Sequence, residues 1–173
     1  RTSSDNANRE KFLTFCLGRE EYGLPILVVR EIIGMIDITP LPRTPPHVKG
    51  VINLRGKIIP VIELRAKFGL ASVASTPETC IIVVEVDSGA AGMCQLGVVV
   101  DAVREVLDIG RDHIEPPTGF GGSIPLTSIL GLGKVKEKVV ILLDINSIGA
   151  VGDLQAASAG ATNTTASPLR VAA

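Results

Sequence analysis

The chain has 173 residues, 46% hydrophobic and 20% charged, which is enough apolar mass to bury a sizeable core in one domain or two small lobes. With no Trp, four Phe and one Tyr, that core must be built from Val, Ile and Leu, and such side chains favour pleated sheet. Residues 1–70 hold 11 Lys and Arg against 7 acidic residues (+4) and residues 71–173 hold 6 against 11 (−5); these totals, with no basic run and no pair of stacking aromatics, exclude a nucleic-acid footprint and leave a charge asymmetry that can orient partners.

Residues 1–10 are polar and read as a flexible N-terminus, so ordered structure is expected from about residue 11. Phe12-Leu-Thr-Phe-Cys-Leu17 and Tyr22-Gly-Leu-Pro-Ile26 flank Gly18-Arg-Glu-Glu21 as a hairpin, and Pro25 marks an edge or strand end. Thr44-Pro45-Pro46-His47-Val48-Lys49-Gly50 offers a cap residue, prolines permitted in a first turn and a closing Gly, which predicts one short helical turn. Val51-Ile-Asn-Leu54 and Lys57-Ile-Ile-Pro-Val-Ile62 then face each other across Arg55-Gly56, a tight turn in which Gly supplies a backbone angle that most residues avoid. Further strands are predicted at 80–87, 94–100, 103–109 and 138–145, with turns at Asp87–Gly92 and Gly119–Ser123. Residues 149–173, rich in Ala, Gly, Ser and Thr, read as a flexible tail. Many short strands with scant helix indicate small barrels.

The chain also repeats itself. At an offset of 81, Val48–Arg65 aligns without a gap on 129–146: Gly50 meets Gly131, Lys57 meets Lys138, and Ile58-Ile-Pro-Val-Ile-Glu63 meets Val139-Val-Ile-Leu-Leu-Asp144. At an offset of 74, Gly23–Ile32 aligns on Gly97–Val106, so that Val29-Arg30-Glu31 returns as Val103-Arg104-Glu105. The seven-residue difference places an insertion in the second copy, around Phe120-Gly121-Gly122. A period above seventy residues suits two similar lobes, expected at about 11–75 and 79–148.

Catalytic chemistry is hard to find. His47 and His113 have no second His or Cys at ligand spacing, Gly131-Leu-Gly133-Lys134 lacks the spacing and the Ser or Thr of a phosphate loop, and no Gly-x-Ser-x-Gly elbow occurs. Gly119-Phe-Gly-Gly-Ser123 opens no helix and reads as a mobile loop. Glu63 and Asp144 stand at equivalent places after apolar strands, where a strand-end or helix-start role fits better than paired acid and base. Cys16, Cys80 and Cys94 are an odd set with no Cys-x-x-Cys pair and read as buried reduced thiols. The expectation is therefore no enzyme, no metal and no cofactor. No apolar run approaches the roughly 20 residues of a membrane helix and no signal-peptide pattern opens the chain, so the protein is expected to be soluble and cytoplasmic, without direct membrane insertion.

An ordered series of motifs carries a specific resemblance: Phe15-x-Leu-Gly-x-Glu-x-Tyr-Gly-Leu-x-Ile26, Val29-x-Glu-Ile32, Leu41-Pro42, Pro46-x-Val-x-Gly50, Val51-Ile-Asn-Leu-Arg-Gly56, Ile59-Pro-Val-Ile-x-Leu-Arg65, Phe68-Gly69, Gly97-Val-Val-Val-Asp101 and Gly131-Leu-Gly133. Over about residues 12–148 the chain resembles the bacterial chemotaxis coupling proteins of the CheW family. The resemblance implies an all-β fold of two five-stranded, SH3-like barrels with short helices. It also implies a non-enzymatic adaptor that joins the regulatory domain of a CheA-type histidine kinase to the cytoplasmic tip of methyl-accepting chemoreceptors, in membrane-associated receptor arrays.

For the kinase, the expected contact is Gly131, Leu132 and Gly133, where small residues admit a partner backbone, with helix-ending glycines as the structural alternative. For the receptor it is Val28, Val29, Ile32, Gly50 and Val98, an apolar set suited to a helix face, with core packing as the rival for each valine. Glu31 and Arg55 are expected to form an ion pair bracing a helical segment against the hairpin turn; in the second copy Glu105 is kept and Lys136 replaces Arg55. A coupling module within a larger signalling protein, such as a receiver fusion or the regulatory end of the kinase, is the alternative, and a small barrel enzyme a remote one.

Overall fold

The computed structural model describes residues 8–89, 92–117 and 124–148. In chain order its elements are β1 (Arg9–Leu17), β2 (Glu20–Pro25), β3 (Val29–Gly34), β4 (Val48–Leu54), β5 (Lys57–Glu63), α1 (Leu64–Lys67), β6 (Cys80–Asp87), β7 (Met93–Val100), β8 (Ala102–Gly110), β9 (Ile114–Glu115), β10 (Ile129–Val135), β11 (Lys138–Leu143) and α2 (Ile145–Ile148). The fold is all-β with short helices, as expected. β1 starts at Arg9, two residues before the expected onset of order; residues 1–7, the loop carrying the proposed insertion and the tail from 149 lie outside the described residues.

Two sheets form: β8-β1-β2-β11-β10-β9 and β3-β6-β7-β5-β4. They cut across the lobe bounds of about 11–75 and 79–148. The first hairpin, β1–β2, pairs with β8 and β11, while β6–β7 pairs with β3 and β5. The reason is local: β2 continues into β3 through the single 3-10 turn Ile26–Val28, and β7 continues into β8 through Asp101, so each half of the chain hands one hairpin to the other sheet.

The repeats noticed in the sequence correspond to matching geometry. In β4–β5 the register slips between Val48 and Gly50, and in β10–β11 it slips between Ile129 and Gly131, 81 positions on. Arg55 (φ 52°) and Lys136 (φ 57°) both take the left-handed conformation at the hairpin turns, where a tight two-residue connection needs it. Each sheet also curls back on itself. Beyond β3, Thr39 bridges to Val51 on the far edge, with Thr39 N–H donating to Val51 O at 2.8 Å and Val51 N–H donating to Thr39 O at 2.9 Å. Beyond β8, β9 pairs with β10 in the same way.

Apolar side chains fill three clusters. Ile52, Ile59, Val61, Ile81, Val83 and Val99 pack inside the five-stranded sheet, and Phe12, Ile109, Val140 and Leu142 inside the six-stranded one. The largest cluster takes members from both sheets, among them Phe15, Tyr22, Leu24, Ile62, Phe68, Ile82, Val98, Ile141 and Leu143. It welds the lobes together, at about 1.5–3 kcal/mol for each large side chain withdrawn from water.

The expected helical turn at Thr44–Gly50 is not helical. Residues 44–47 make a turn in which Val48 N–H donates to Pro45 O at 2.9 Å, and β4 begins at Val48 because pairing with β5 takes the backbone bonds that a helix needs. Val29–Gly34 is an edge strand whose alternating exposure shows period two. Glu63 and Asp144 behave as expected at strand ends ahead of α1 and α2. Asp144 accepts from Asn146 N–H at 3.1 Å and from the Ser147 hydroxyl at 3.2 Å, organising the α2 turn.

Candidate functional site

The exposed tip of the five-stranded sheet is built from β3 and the β4–β5 turn. Arg55 donates to both Glu31 oxygens, through Nη1 to Oε2 at 3.3 Å and through Nη2 to Oε1. The expected pair therefore exists, but it ties an edge strand, not a helix, to the hairpin turn. β3 and β4 are the two edges of the sheet, so the pair spans its opening. The hydrogen bonds that Arg55 donates to Glu31, and the charge of that carboxylate, raise the Arg55 pKa above its ordinary value. Asn53 Oδ1 accepts from Gly56 N–H at 2.8 Å and fixes the turn beneath it.

The apolar receptor set divides. Ile32 is exposed, while Val28 and Val29 are half-buried and pack on the shared core. Val98 is 0% exposed at the centre of β7 and presents nothing to a partner. Gly50 is also buried; a Cβ there would lie 2.0 Å from Thr39 O and the residue sits at φ +144°, so glycine is required where the closing segment crosses β4. For Val98 core packing, the rival reading, is what the structure shows, and Gly50 likewise lies in the interior.

Gly131 and Gly133 lie buried within strand β10, not at a helix end, and Leu132 is half-buried against the shared core. A Cβ at Gly131 would meet Glu115 O at 2.8 Å and the Ile114 methyl at 2.6 Å, which is the Gly50 situation repeated under β9. The surface at this place comes from neighbours that sequence reasoning passed over. Leu130 is exposed beside Gly131, and Leu27, at the crest of the β2–β3 turn, is 86% exposed. With Ile26, Ile114 and Phe12 they line one cleft of about 650 Å³, rimmed by Arg9, Lys11 and Arg111. The available signal was positional: Leu130 alternates with core residues on β10, and Leu27 follows the strand-ending Pro25.

A second ion pair was also missed, although both its residues stand in the quoted motifs. Arg65, on α1, grips Asp101 with two bonds, Nε to Oδ1 at 2.8 Å and Nη2 to Oδ2 at 2.6 Å, and Asp101 Oδ2 also accepts from Gly18 N–H at 2.8 Å. The Arg65 bond, helped by Gly18, holds the Asp101 carboxyl below the usual aspartate range against the opposing effect of partial burial. The guanidinium is completed by Ala71 O at 2.9 Å.

The thiols of Cys16, Cys80 and Cys94 are free; only Cys80 is buried, the other two being half-exposed. Among the described residues no group of three or more His, Cys, Asp or Glu side chains could hold a metal, and no helix is long and apolar enough to cross a membrane.

Two curled sheets with exchanged hairpins, one shared core and apolar side chains left outside define a two-lobed, SH3-like all-β domain. The chain matches the model of the CheW-like domain over residues 11–151, and it belongs to that family. It is 40% identical over 139 residues to the chemotaxis protein CheW of Klebsiella aerogenes, covering 80% of this chain and 81% of that one. It is 36% identical over 145 residues to CheW of Helicobacter pylori (83% and 84%) and 32% identical over 141 residues to the protein FrzA of Myxococcus xanthus (80% and 84%). The crystal structure of the scaffolding protein TtCheW from Thermoanaerobacter tengcongensis superposes with a TM-score of 0.73 at 36% identity, over 83% of this chain and 90% of that one.

Proposed function

We propose that this chain is a non-enzymatic chemotaxis adaptor which couples the regulatory domain of a CheA-type histidine kinase to the cytoplasmic tip of methyl-accepting chemoreceptors. It would work on the cytoplasmic side of the membrane within receptor arrays. The observation that carries the reading is family membership over most of the chain, combined with two distinct exposed apolar surfaces that flank the Ile26–Val28 turn.

Along β3, Val28, Val29 and Ile32 with the Glu31–Arg55 pair form the receptor surface, a shallow apolar strip with a fixed charge pair at one end, suited to one face of a helical hairpin. Gly50 and Val98 support it from behind. On the six-stranded side, the β10 segment Gly131-Leu132-Gly133 presents Leu130 and, with Leu27, forms the kinase surface. Desolvated apolar anchors ringed by charge are the pattern that concentrates binding energy.

Calorimetric titration with a CheA regulatory domain tests the kinase surface. Micromolar binding, about −8 kcal/mol, is expected for the intact chain. Leu130→Glu should abolish it, whereas Arg55→Ala should leave it intact and instead weaken binding of a receptor tip hairpin. Loss of kinase binding in Arg55→Ala with retention in Leu130→Glu would reverse the assignment.

A further inference from the structure

The Arg65–Asp101–Gly18 cluster joins elements that belong to different sheets. Arg65 lies on α1, which follows β5 of the five-stranded sheet, whereas Gly18 is in the β1–β2 turn of the six-stranded sheet. Asp101 is the one residue between β7 and β8, at the point where the chain passes from one sheet to the other. Its backbone N–H donates to Cys16 O at 3.2 Å, a second tie to β1.

The pseudo-symmetric place is also occupied. Position 146 matches Arg65 at the offset of 81, and the β6–β7 turn corresponds to the β1–β2 turn. There Asn146, on α2 after β11, accepts through Oδ1 from Asp87 N–H at 2.9 Å. This contact again runs from the helix behind the repeated hairpin to the turn of the hairpin that was handed across, and again joins opposite sheets. The first contact is charged, doubly bonded and mostly withdrawn from water, with the Arg65 side chain 13% exposed; the second is one neutral bond. The second crossover differs correspondingly. The equivalent of Asp101 at an offset of 74 is Leu27, which turns outward into the cleft.

We propose that these two contacts are clasps that set the angle between the lobes, the ionic Arg65–Asp101–Gly18 clasp being the dominant one, and that they keep the receptor and kinase surfaces in register for simultaneous binding. The clasps touch neither surface, so Arg65 and Asp101 are positioning residues. The register clause rests on the adaptor reading above; the angle itself does not. The shared core resists separation of the lobes, but apolar contacts are non-directional and tolerate sliding, whereas a bidentate guanidinium–carboxylate pair fixes orientation.

The test is an inter-lobe distance distribution by double electron–electron resonance. Nitroxides are placed on cysteines introduced at Lys57 and Val139, both exposed and on different sheets, in a Cys16→Ser, Cys80→Ala, Cys94→Ser background. The expected result is a single narrow distribution that broadens or shifts in Asp101→Asn, changes less in Asn146→Ala, and changes most in the double variant, with far-ultraviolet circular dichroism unchanged. Arg65→Lys, which keeps the charge but gives up the second bond, is read in the same way if Asp101→Asn does not fold. An unchanged distribution in folded Asp101→Asn or Arg65→Lys overturns the proposal. Partner binding is read in parallel: the intact chain should bind a CheA regulatory domain and Leu130→Glu should lose that affinity with the distance unchanged; if the intact chain binds neither partner, the adaptor reading fails while the clasp stands on the distances alone.

Discussion

The two lobe tips have the same backbone and different chemistry. At the five-stranded tip, Glu31 and Arg55 pair across the sheet opening; at the six-stranded tip, Glu105 and Lys136 occupy the equivalent places, and among the described residues no ion pair joins them. The apolar rim, by contrast, is copied closely: Ile32 and Val106 are 46% and 48% exposed, and Ile58 and Val139 are 54% and 53% exposed. Register slips, crossing glycines and left-handed turns recur in both lobes because each is needed to curl a short sheet shut. What recurs is therefore the requirement of the fold, and what differs is where partner specificity has room to reside.

The largest effect is expected where the fold requirement is strictest. Gly50→Ala places a Cβ against Thr39 O at an unfavourable φ and should cost about 3 kcal/mol or more in urea unfolding, with Gly131→Ala costing less because its φ is ordinary; equal costs would mean that the two crossings are not equivalent after all. Val98→Ala should cost about 2 kcal/mol by leaving a cavity in the shared core, and any partner affinity it loses should track the folded fraction.

The Arg65–Asp101 pair adds a pH signature absent from the Asn146 side. Because the folded Asp101 pKa lies below its unfolded value, its stabilisation is complete above the unfolded pKa of about 3.9 and is lost as pH falls through the folded one. Asp101→Asn should thus be less stable than the parent by about 1–3 kcal/mol at pH 7, the gap narrowing as pH falls through the lowered folded pKa, while Asn146→Ala should show a pH-independent difference. The smallest effect concerns the turns: Lys136→Gly should stabilise by about 0.5–1 kcal/mol, because glycine adopts a positive φ without a Cβ penalty. Arg55→Gly should give up receptor affinity for the same relief.

Much of this was legible in the sequence, for identifiable reasons. The hairpin at Arg55-Gly56, the strands from β6 to β8, the end of β2 at Pro25 and the duplication all depend on local pattern, and the structure retains them. The exchange of hairpins was not legible, since an alignment of copies says which segments are alike and nothing about which sheet each one joins. The short helical turn expected at Thr44–Gly50 does not form, because its cap residue, prolines and glycine are local signals, whereas pairing of β4 with β5 takes the backbone from Val48 onward. Gly50 and Gly131 looked like surface features and are buried crossings, a distinction that depends on long-range backbone approach, while Gly133 is buried against the Ile109 and Leu142 side chains. Thr14 makes the same point. It is fully buried within an apolar run, yet its hydroxyl donates to Glu105 O at 2.8 Å and accepts from Glu105 N–H at 3.1 Å, a pairing 91 residues apart.

The most direct test of the adaptor reading is whether the two surfaces work at once. A receptor tip hairpin titrated into a preformed complex of this chain with a CheA regulatory domain should bind with one-to-one stoichiometry and leave the kinase domain attached, giving a ternary complex by light scattering. Displacement of the kinase domain by the hairpin, or failure of the intact chain to bind either partner, would contradict it.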